Sequence, residues 1–290
     1  MRHLPVIAYI LIILLATSRL AYGGAWTQPK GNGLLILNHG YYRASEFINN
    51  AGKTQSQALY QKAEWNPYIE YGLTDRLTIG ANLFLQYIRQ QTTRSFTFQP
   101  DPFTTIVTTF KGNQNNVGIG DSEFFARYRL YQKDGFVLSV EPMYKLPSLW
   151  SYMPVPDIGN SNPEAALTLS GGYGFKAYGQ NHFVNVDTGY RYRSGREKDQ
   201  TRIAATLGIS LDPNWMVMPQ VFVTHRTGTS SARTAFTENA SNDYNLTKLQ
   251  LSAIYKHWDE TSIQVGGFIH ADARNTSTGG GLFVALWRNF

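Results

Sequence analysis

The chain has 290 residues, a formal net charge of +6 from 26 basic and 20 acidic side chains, and no cysteine. Without cysteine, disulfides cannot staple it, and its scattered charge offers no basic tract for nucleic acid. After the first 16 residues no apolar run approaches the roughly 20 residues of a membrane-spanning helix, which excludes a helical membrane protein.

Arg2 precedes an apolar run from Leu4 to Ala16 and then the small-residue pattern Ala21-Tyr22-Gly23. This reads as a secretory signal peptide over 1–23, cut after Gly23. Its removal takes away Arg2 and Arg19 and lowers the net charge to about +4. The remainder, 24–290, has no linker or break in composition and reads as one domain.

From Gly33 onward the residues alternate in about twelve segments, near 33–43, 60–73, 76–90, 117–131, 136–147, 163–176, 182–193, 200–211, 215–227, 246–257, 261–271 and 279–290. Each is close to the roughly 10 residues of a tilted transmembrane strand. Tight links at Thr74-Asp75-Arg76, Lys133-Asp134-Gly135, Tyr178 to Asn181, Asp212-Pro213-Asn214 and Trp258-Asp259-Glu260 all follow even-numbered segments. Most odd-numbered segments are followed by longer connections: Ala44 to Leu59, Gln91 to Asn116, Ser148 to Asn162 and Gly228 to Asn245. Short turns at one rim and long loops at the other form the outer-membrane pattern, and an even count leaves both termini in the periplasm. Within the second long loop, Ser95 to Gln99 and Phe103 to Phe110 flank Pro100-Asp101-Pro102, which predicts a hairpin above the membrane. A fourteen-strand count would instead need a turn near Gln90 to Thr93. A soluble β-sandwich also alternates, but rarely needs so many outward aromatics beside a polar inner phase.

Along the eighth segment Ile203, Ala205, Leu207, Ile209 and Leu211 share one face, and Arg202, Thr206 and Ser210 the other. The tenth sets Leu249, Leu251, Ala253 and Tyr255 against Lys248, Gln250, Ser252 and Lys256. Tyr71, Tyr87, Tyr131, Tyr192, Trp215 and Trp258 fall near segment ends, where two interfacial girdles belong. Pro67, Pro142 and Pro219 lie inside strands on the outward phase, which predicts local bulges.

The inward phase carries the ionisable residues Glu64, Glu70, Asp121, Glu123, Arg127, Arg129, Glu141, Lys145, Asp187, Arg191, Arg193, Arg202, Lys248 and Lys256. Facing lipid, each would cost about 2–4 kcal/mol at the midplane, so they are the candidates to line a lumen. Two roles fit them. They form a selectivity lining, or, as the small diameter favours, they pair and fill the bore.

His225, His257 and His270 lie near strand ends, and none has a catalytic partner at a recognisable spacing, so the sequence predicts no enzyme and no catalytic residue. The His-x-His and His-Glu-x-x-His spacings are absent too, which predicts no metal and no cofactor. The sequons at Asn239, Asn245 and Asn275 point to exposed loops.

The chain ends on Thr278-Gly-Gly-Gly-Leu-Phe-Val-Ala-Leu-Trp-Arg-Asn-Phe290. An alternating strand stopping on a terminal aromatic resembles the assembly signal of bacterial outer-membrane barrels, so Phe290 is expected to close the sheet against the first strand. Arg288 stands out on its apolar face and is expected to snorkel to the interface.

Glu70-Tyr-Gly-Leu-Thr-Asp-Arg-Leu77, Gly118-Ile-Gly-Asp121 leading into Ala126-Arg-Tyr-Arg-Leu130, and Pro163-Glu164 resemble the outer-membrane family labelled meta-pathway phenol-degradation transporters. The resemblance implies a channel for a small organic solute. Related channels of the fatty-acid transporter type carry an N-terminal plug of some tens of residues. Only Gly24 to Asn32 precedes the first strand here, which argues against a plug. Gly24-Ala-Trp-Thr-Gln-Pro-Lys-Gly31 resembles the mature start of barrels associated with exopolysaccharide and biofilm operons, and implies a glycan cargo instead.

The expected fold is therefore all-β, a transmembrane antiparallel up-and-down barrel of about twelve strands in the bacterial outer membrane. Its expected partners are membrane lipid, the barrel-assembly machinery and a small-molecule or glycan cargo. A surface structural or adhesive protein, working through the loops at 44–59, 91–116 and 228–245, is the third reading.

Overall fold

The structure, a computed structural model, describes residues 24–290 except 149, 160–161, 196, 229–242 and 259. The signal-peptide reading over 1–23 and the sequon at Asn239 fall outside the described residues. The described strands are β1 Gly33–Ile48, β2 Thr54–Thr74, β3 Leu77–Asn82, β4 Leu85–Asp101, β5 Thr104–Ile119, β6 Ser122–Lys133, β7 Phe136–Leu146 and β8 Trp150–Ser151. They continue as β9 Glu164–Ala177, β10 Gln180–Arg193, β11 Gln200–Ser210, β12 Trp215–Arg226, β13 Asn245–Trp258, β14 Thr261–Arg274 and β15 Thr276–Asn289.

These make twelve barrel staves. Strand β2 pairs with β3 from Tyr68↔Asn82 and with β4 from Trp65↔Leu85, so β3 and β4 are two parts of one stave. In the same way β5 pairs with β4 and β6 with β3, giving the next stave, while β8 is a short bridge within a loop. Strand β1 pairs antiparallel with both β2 and β15, which closes the sheet. Closure is what lets a sheet cross lipid, because no strand edge is left with unsatisfied amides.

Two of the tight turns run through positive φ, each ending on a glycine. Asp134 and Gly135 (50° and 84°) join β6 to β7, and Tyr178 and Gly179 (49° and 74°) join β9 to β10, the backbone that suits two-residue hairpins. Asp212 Oδ1 accepts from the amides of Asn214 and Trp215 at 2.7 and 2.8 Å, fixing the turn into β12. At the opposite rim β4 and β5 keep pairing out to Asp101↔Thr104, so the 95–110 hairpin rises as an extension of two staves. Because β4 runs unbroken through residues 90–93, the fourteen-strand count is ruled out. At the hairpin tip, hydrogen bonds from the Thr104 side chain and the Phe103 amide hold the Asp101 carboxyl below its ordinary pKa.

The three prolines behave differently from expectation. At Pro67 the ladder lapses between Trp65↔Leu85 and Tyr68↔Asn82, at Pro142 between Phe125↔Met143 and Tyr128↔Val140, and at Pro219 between Thr206↔Gln220 and Ile209↔Val217. Both strands advance by the same number of residues across each gap, so no bulge forms. A missing N–H deletes a ladder bond without adding a residue, and the strand keeps its register. A real slip lies nearby instead: between Asn82↔Glu123 and Leu85↔Ile119 the β5–β6 stave spends one extra residue, at Gly120 and Asp121. The inward phase changes there from even numbers to odd ones.

Outside, Leu167, Leu169, Val186, Ile203, Leu249, Leu251, Val265, Ile269, Leu282 and Val284 are exposed and form the apolar band. Tyr71, Tyr87, Tyr131, Tyr192 and Trp215 are exposed as well. Arg288, on the same outward phase, pairs with Glu260 at 2.9 Å and donates to Thr261 Oγ1 at 2.9 Å, so it is neutralised at the short-turn rim. The sequon Asn275 departs from the expected exposed loop: it is buried in the β14–β15 turn and donates to the Asp243 carbonyl at 2.7 Å.

Phe290 ends the closing strand as expected. The Gly33 amide donates to the Phe290 carbonyl at 2.7 Å, and the Phe290 amide returns a bond to the Gly33 carbonyl at 3.0 Å. A Cβ on Gly33 would lie 2.3 Å from the Phe290 ring, so glycine makes room for the terminal aromatic. Phe290→Ala is expected to lower the heat-modifiable, folded fraction in the outer membrane several-fold. Normal levels of folded protein would remove this role.

Candidate functional site: the barrel lumen

The short segment before β1 lies inside the barrel. Its backbone is held by inward side chains of distant staves: the Ala25 amide donates to Asn185 Oδ1 at 2.9 Å, the Ala25 carbonyl accepts from Ser139, and the Gln28 amide donates to Thr78 Oγ1 at 2.8 Å. The sequence argues against a plug because residues 24–32 fall short of the tens of residues that related channels use. Extended chain needs no fold of its own where the wall supplies its hydrogen bonds.

Two anchors fix it. On one wall Arg127 pairs with Glu70 at 2.7 Å and with Glu141 at 2.7 Å, and also donates to the Trp26 carbonyl at 3.1 Å. Glu70 is fully buried, accepting from Gln28 Nε2 at 2.6 Å and from the Tyr68 hydroxyl. On the other wall Trp26 packs against a nest of Phe183, Met216, Met218 and Ile254, meeting the Phe183 ring edge-on at 5.7 Å. Gly172 lies under the indole, where a Cβ would come within 2.6 Å of the ring. The inward phase at the short-turn end is thus apolar on one side and charged on the other, with the segment between them.

A second charge network occupies the long-loop half. Glu164 receives Lys145 at 2.9 Å, Arg191 at 3.0 Å and Arg193 at 3.0 Å. Lys145 also reaches Asp121 at 2.8 Å, Arg191 reaches Glu123 at 2.8 Å, and Arg193 reaches Asp243 at 3.5 Å. Each buried cation here has a carboxylate, which is the condition for a low-dielectric wall to hold charge.

The networks leave space between them. A cavity of about 1730 Å³ runs from Gln55, Asp157, Gly159 and Tyr244 near the long loops down to Gly24, Asn185 and Asp187. Glu64, Asp121, Glu123, Lys145, Asp187, Arg191, Arg193, Arg202 and Lys248 of the sequence-predicted set line it. Glu70 and Arg127 are buried beneath it in the anchor, and Glu141 borders a small recess of about 130 Å³. Arg129 and Lys256 are half-buried toward the short-turn end and do not line the cavity. The wall facing the charges was not among the predicted residues: Tyr42, Tyr60, Phe222, Phe268, Phe283 and Trp287 line it. Inward periodicity marks Phe222 beside Gln220 and Phe268 beside His270; selecting only ionisable residues passed over them.

Of the three histidines, His225 is exposed, and the side chain of His257 lies outside the described residues. His270 lines the cavity, with Nδ1 at 3.3 Å from the Tyr42 hydroxyl and 3.1 Å from the Ser277 carbonyl.

No protein-family model matches the chain, and no curated protein matches it. Among solved structures, an outer membrane channel from Pseudomonas putida F1 superposes with a TM-score of 0.66 at 14% identity, covering 93% of this chain and 100% of that one. The KdgM porin in complex with disordered oligogalacturonate gives 0.49 at 7% identity over 88% and 99% of the two chains. The NanC porin gives 0.47 at 7% over 87% and 98%. The fold is that of a bacterial outer-membrane barrel.

Removing Arg127 would strand Glu70 and Glu141 without their counter-charge. Arg127→Met is expected to cost about 3–5 kcal/mol, read as a lower guanidinium midpoint of the refolded barrel, with part restored by adding Glu70→Gln. Trp26→Ala is expected to release the segment, seen as faster proteolytic trimming ahead of Gly33 while the barrel stays intact.

Proposed function

We propose that this barrel is an outer-membrane channel for a small organic solute, with the segment from Gly24 to Asn32 as the constriction that sets its conductance. The observation that carries the reading is the cavity of about 1730 Å³, which reaches Gly24 of that segment at its lower end and is walled by aromatic rings on one side and paired charges on the other. Side chains that served only to fill the barrel would leave no such space, since interiors otherwise pack to crystal-like density. An aromatic wall suits a solute with an apolar body, and a few placed polar groups would orient it. The resemblance of Glu70–Leu77 and Gly118–Asp121 to transporters associated with aromatic catabolism supports the same class of cargo.

The segment is held in the bore by hydrogen bonds and one indole, and its only covalent tie to the wall is its continuation into β1 at Gly33. Its displacement opens the short-turn end. In planar bilayers the wild-type barrel is expected to show small conductance, and a variant lacking residues 25–31 a several-fold larger one. Equal conductance of the two would show that the segment is not the constriction. Failure of the deletion variant to pass any small solute into liposomes would remove the channel reading.

A further inference from the structure

Of the cations that line the cavity, two form no ion pair among the described residues. Lys248 and Arg202 form no ion pair, whereas Arg127, Lys145, Arg191, Arg193 and Lys62 all do. Arg202 donates only to the neutral amide oxygen of Gln200, at 2.9 and 3.3 Å. The Lys248 ammonium lies over the rings of Phe222 and Phe268, 4.2 and 5.3 Å from their centroids. Ring faces attract an ammonium but accept little from its three N–H donors.

The register brings these groups to one wall. Phe222 of β12 stands opposite Lys248 of β13, and Arg202 of β11 stands opposite Thr224, one inward step along β12. The two cations therefore stand on the strands either side of Phe222 and two residues out of step along them, roughly 12 Å apart at their backbone positions. On the other side of Lys248 the pairing passes from Thr247↔Asp272 to Lys248↔His270, so β14 carries one extra residue, and this bulge sets His270 opposite the lysine. Tyr42 continues the apolar surface, stacked on Phe268 at 6.0 Å and meeting Tyr60 at 6.2 Å. Tyr42, Arg202, Phe222, Lys248, Phe268 and His270 line the cavity.

We propose that this patch is a binding site for a small carboxylate with an apolar body. The acid group docks between Arg202 and Lys248, and the body lies on Phe222, Phe268 and Tyr42. The carboxylate supplies to these two cations what Glu164 supplies to Lys145, Arg191 and Arg193. This rests on the lumen being the path of an organic solute and names the chemical class of that solute.

The test is calorimetry on the purified, detergent-solubilised barrel with 2-naphthoate, its neutral counterpart 2-naphthalenemethanol, and acetate. The naphthoate is expected to bind about ten-fold or more tightly than either of the others, the size of one charge-assisted hydrogen bond. Lys248→Gln and Arg202→Gln should each remove most of that preference while leaving the alcohol unchanged, and Lys248→Arg should keep it. Heat-modifiable mobility checks that each variant is folded. Equal binding of acid and alcohol, acetate binding as tightly as naphthoate, or indifference to both glutamine substitutions would overturn the site. Liposome flux through the barrel lacking residues 25–31 is read separately. Binding without flux leaves the site standing and removes the channel, and flux without acid preference does the reverse.

Discussion

Everything in this molecule depends on the pairing of β1 with β15. In lipid an unpaired amide costs several kcal/mol, so a sheet can span the membrane only when its last strand finds its first. Gly33 and Phe290 make that join, bonding each other in both directions. Once the ring is closed the two-residue period of each strand divides the chain into an outer apolar set and an inner polar one. Charges at positions such as Glu70 and Arg127 then have nowhere to point except at each other or at a guest, and the lumen chemistry follows from that geometry.

The two charge clusters show how a small barrel can be both filled and hollow. Expecting the ionisable residues either to line a pore or to pack the bore set up a false choice. The Glu70–Arg127–Glu141 set is packing: it is buried and binds a piece of the protein's own backbone. The Glu164 set lines open space yet has its charges matched. Lys248 and Arg202 form no ion pair among the described residues: Lys248 stands on the aromatic wall, and Arg202 holds only the Gln200 amide oxygen.

Much of the fold was legible because the relevant signal is local. The turns at Asp134-Gly135 and Asp212-Pro213-Asn214 state their backbone in their residues, and alternation along Ile203 to Leu211 states which side faces lipid. What was not legible depends on partners far away in sequence. The segment from Gly24 to Asn32 has no pattern of its own; its conformation is dictated by Ser139, Asn185, Thr78 and Arg127, none of which announces that role. The sequence places Asn116 in the long connection, yet it is buried on the inward, even side of β5, and the slip at Gly120 and Asp121 then moves the inward phase to odd numbers. The prolines misled for a related reason: a lost hydrogen bond and an added residue look alike in sequence and differ in structure.

The docked segment also draws on parts of the chain that are remote in sequence. Ala25 bonds a residue 160 positions away, and its other partners sit on β2, β3, β6 and β7. The neighbouring hairpins β2–β3 and β6–β7 present four of these partners, and Asn185 on β10 completes the set from further round the barrel. The segment ahead of β1 thus occupies its own barrel as a ligand would, joined by hydrogen bonds to strands from β2 round to β10.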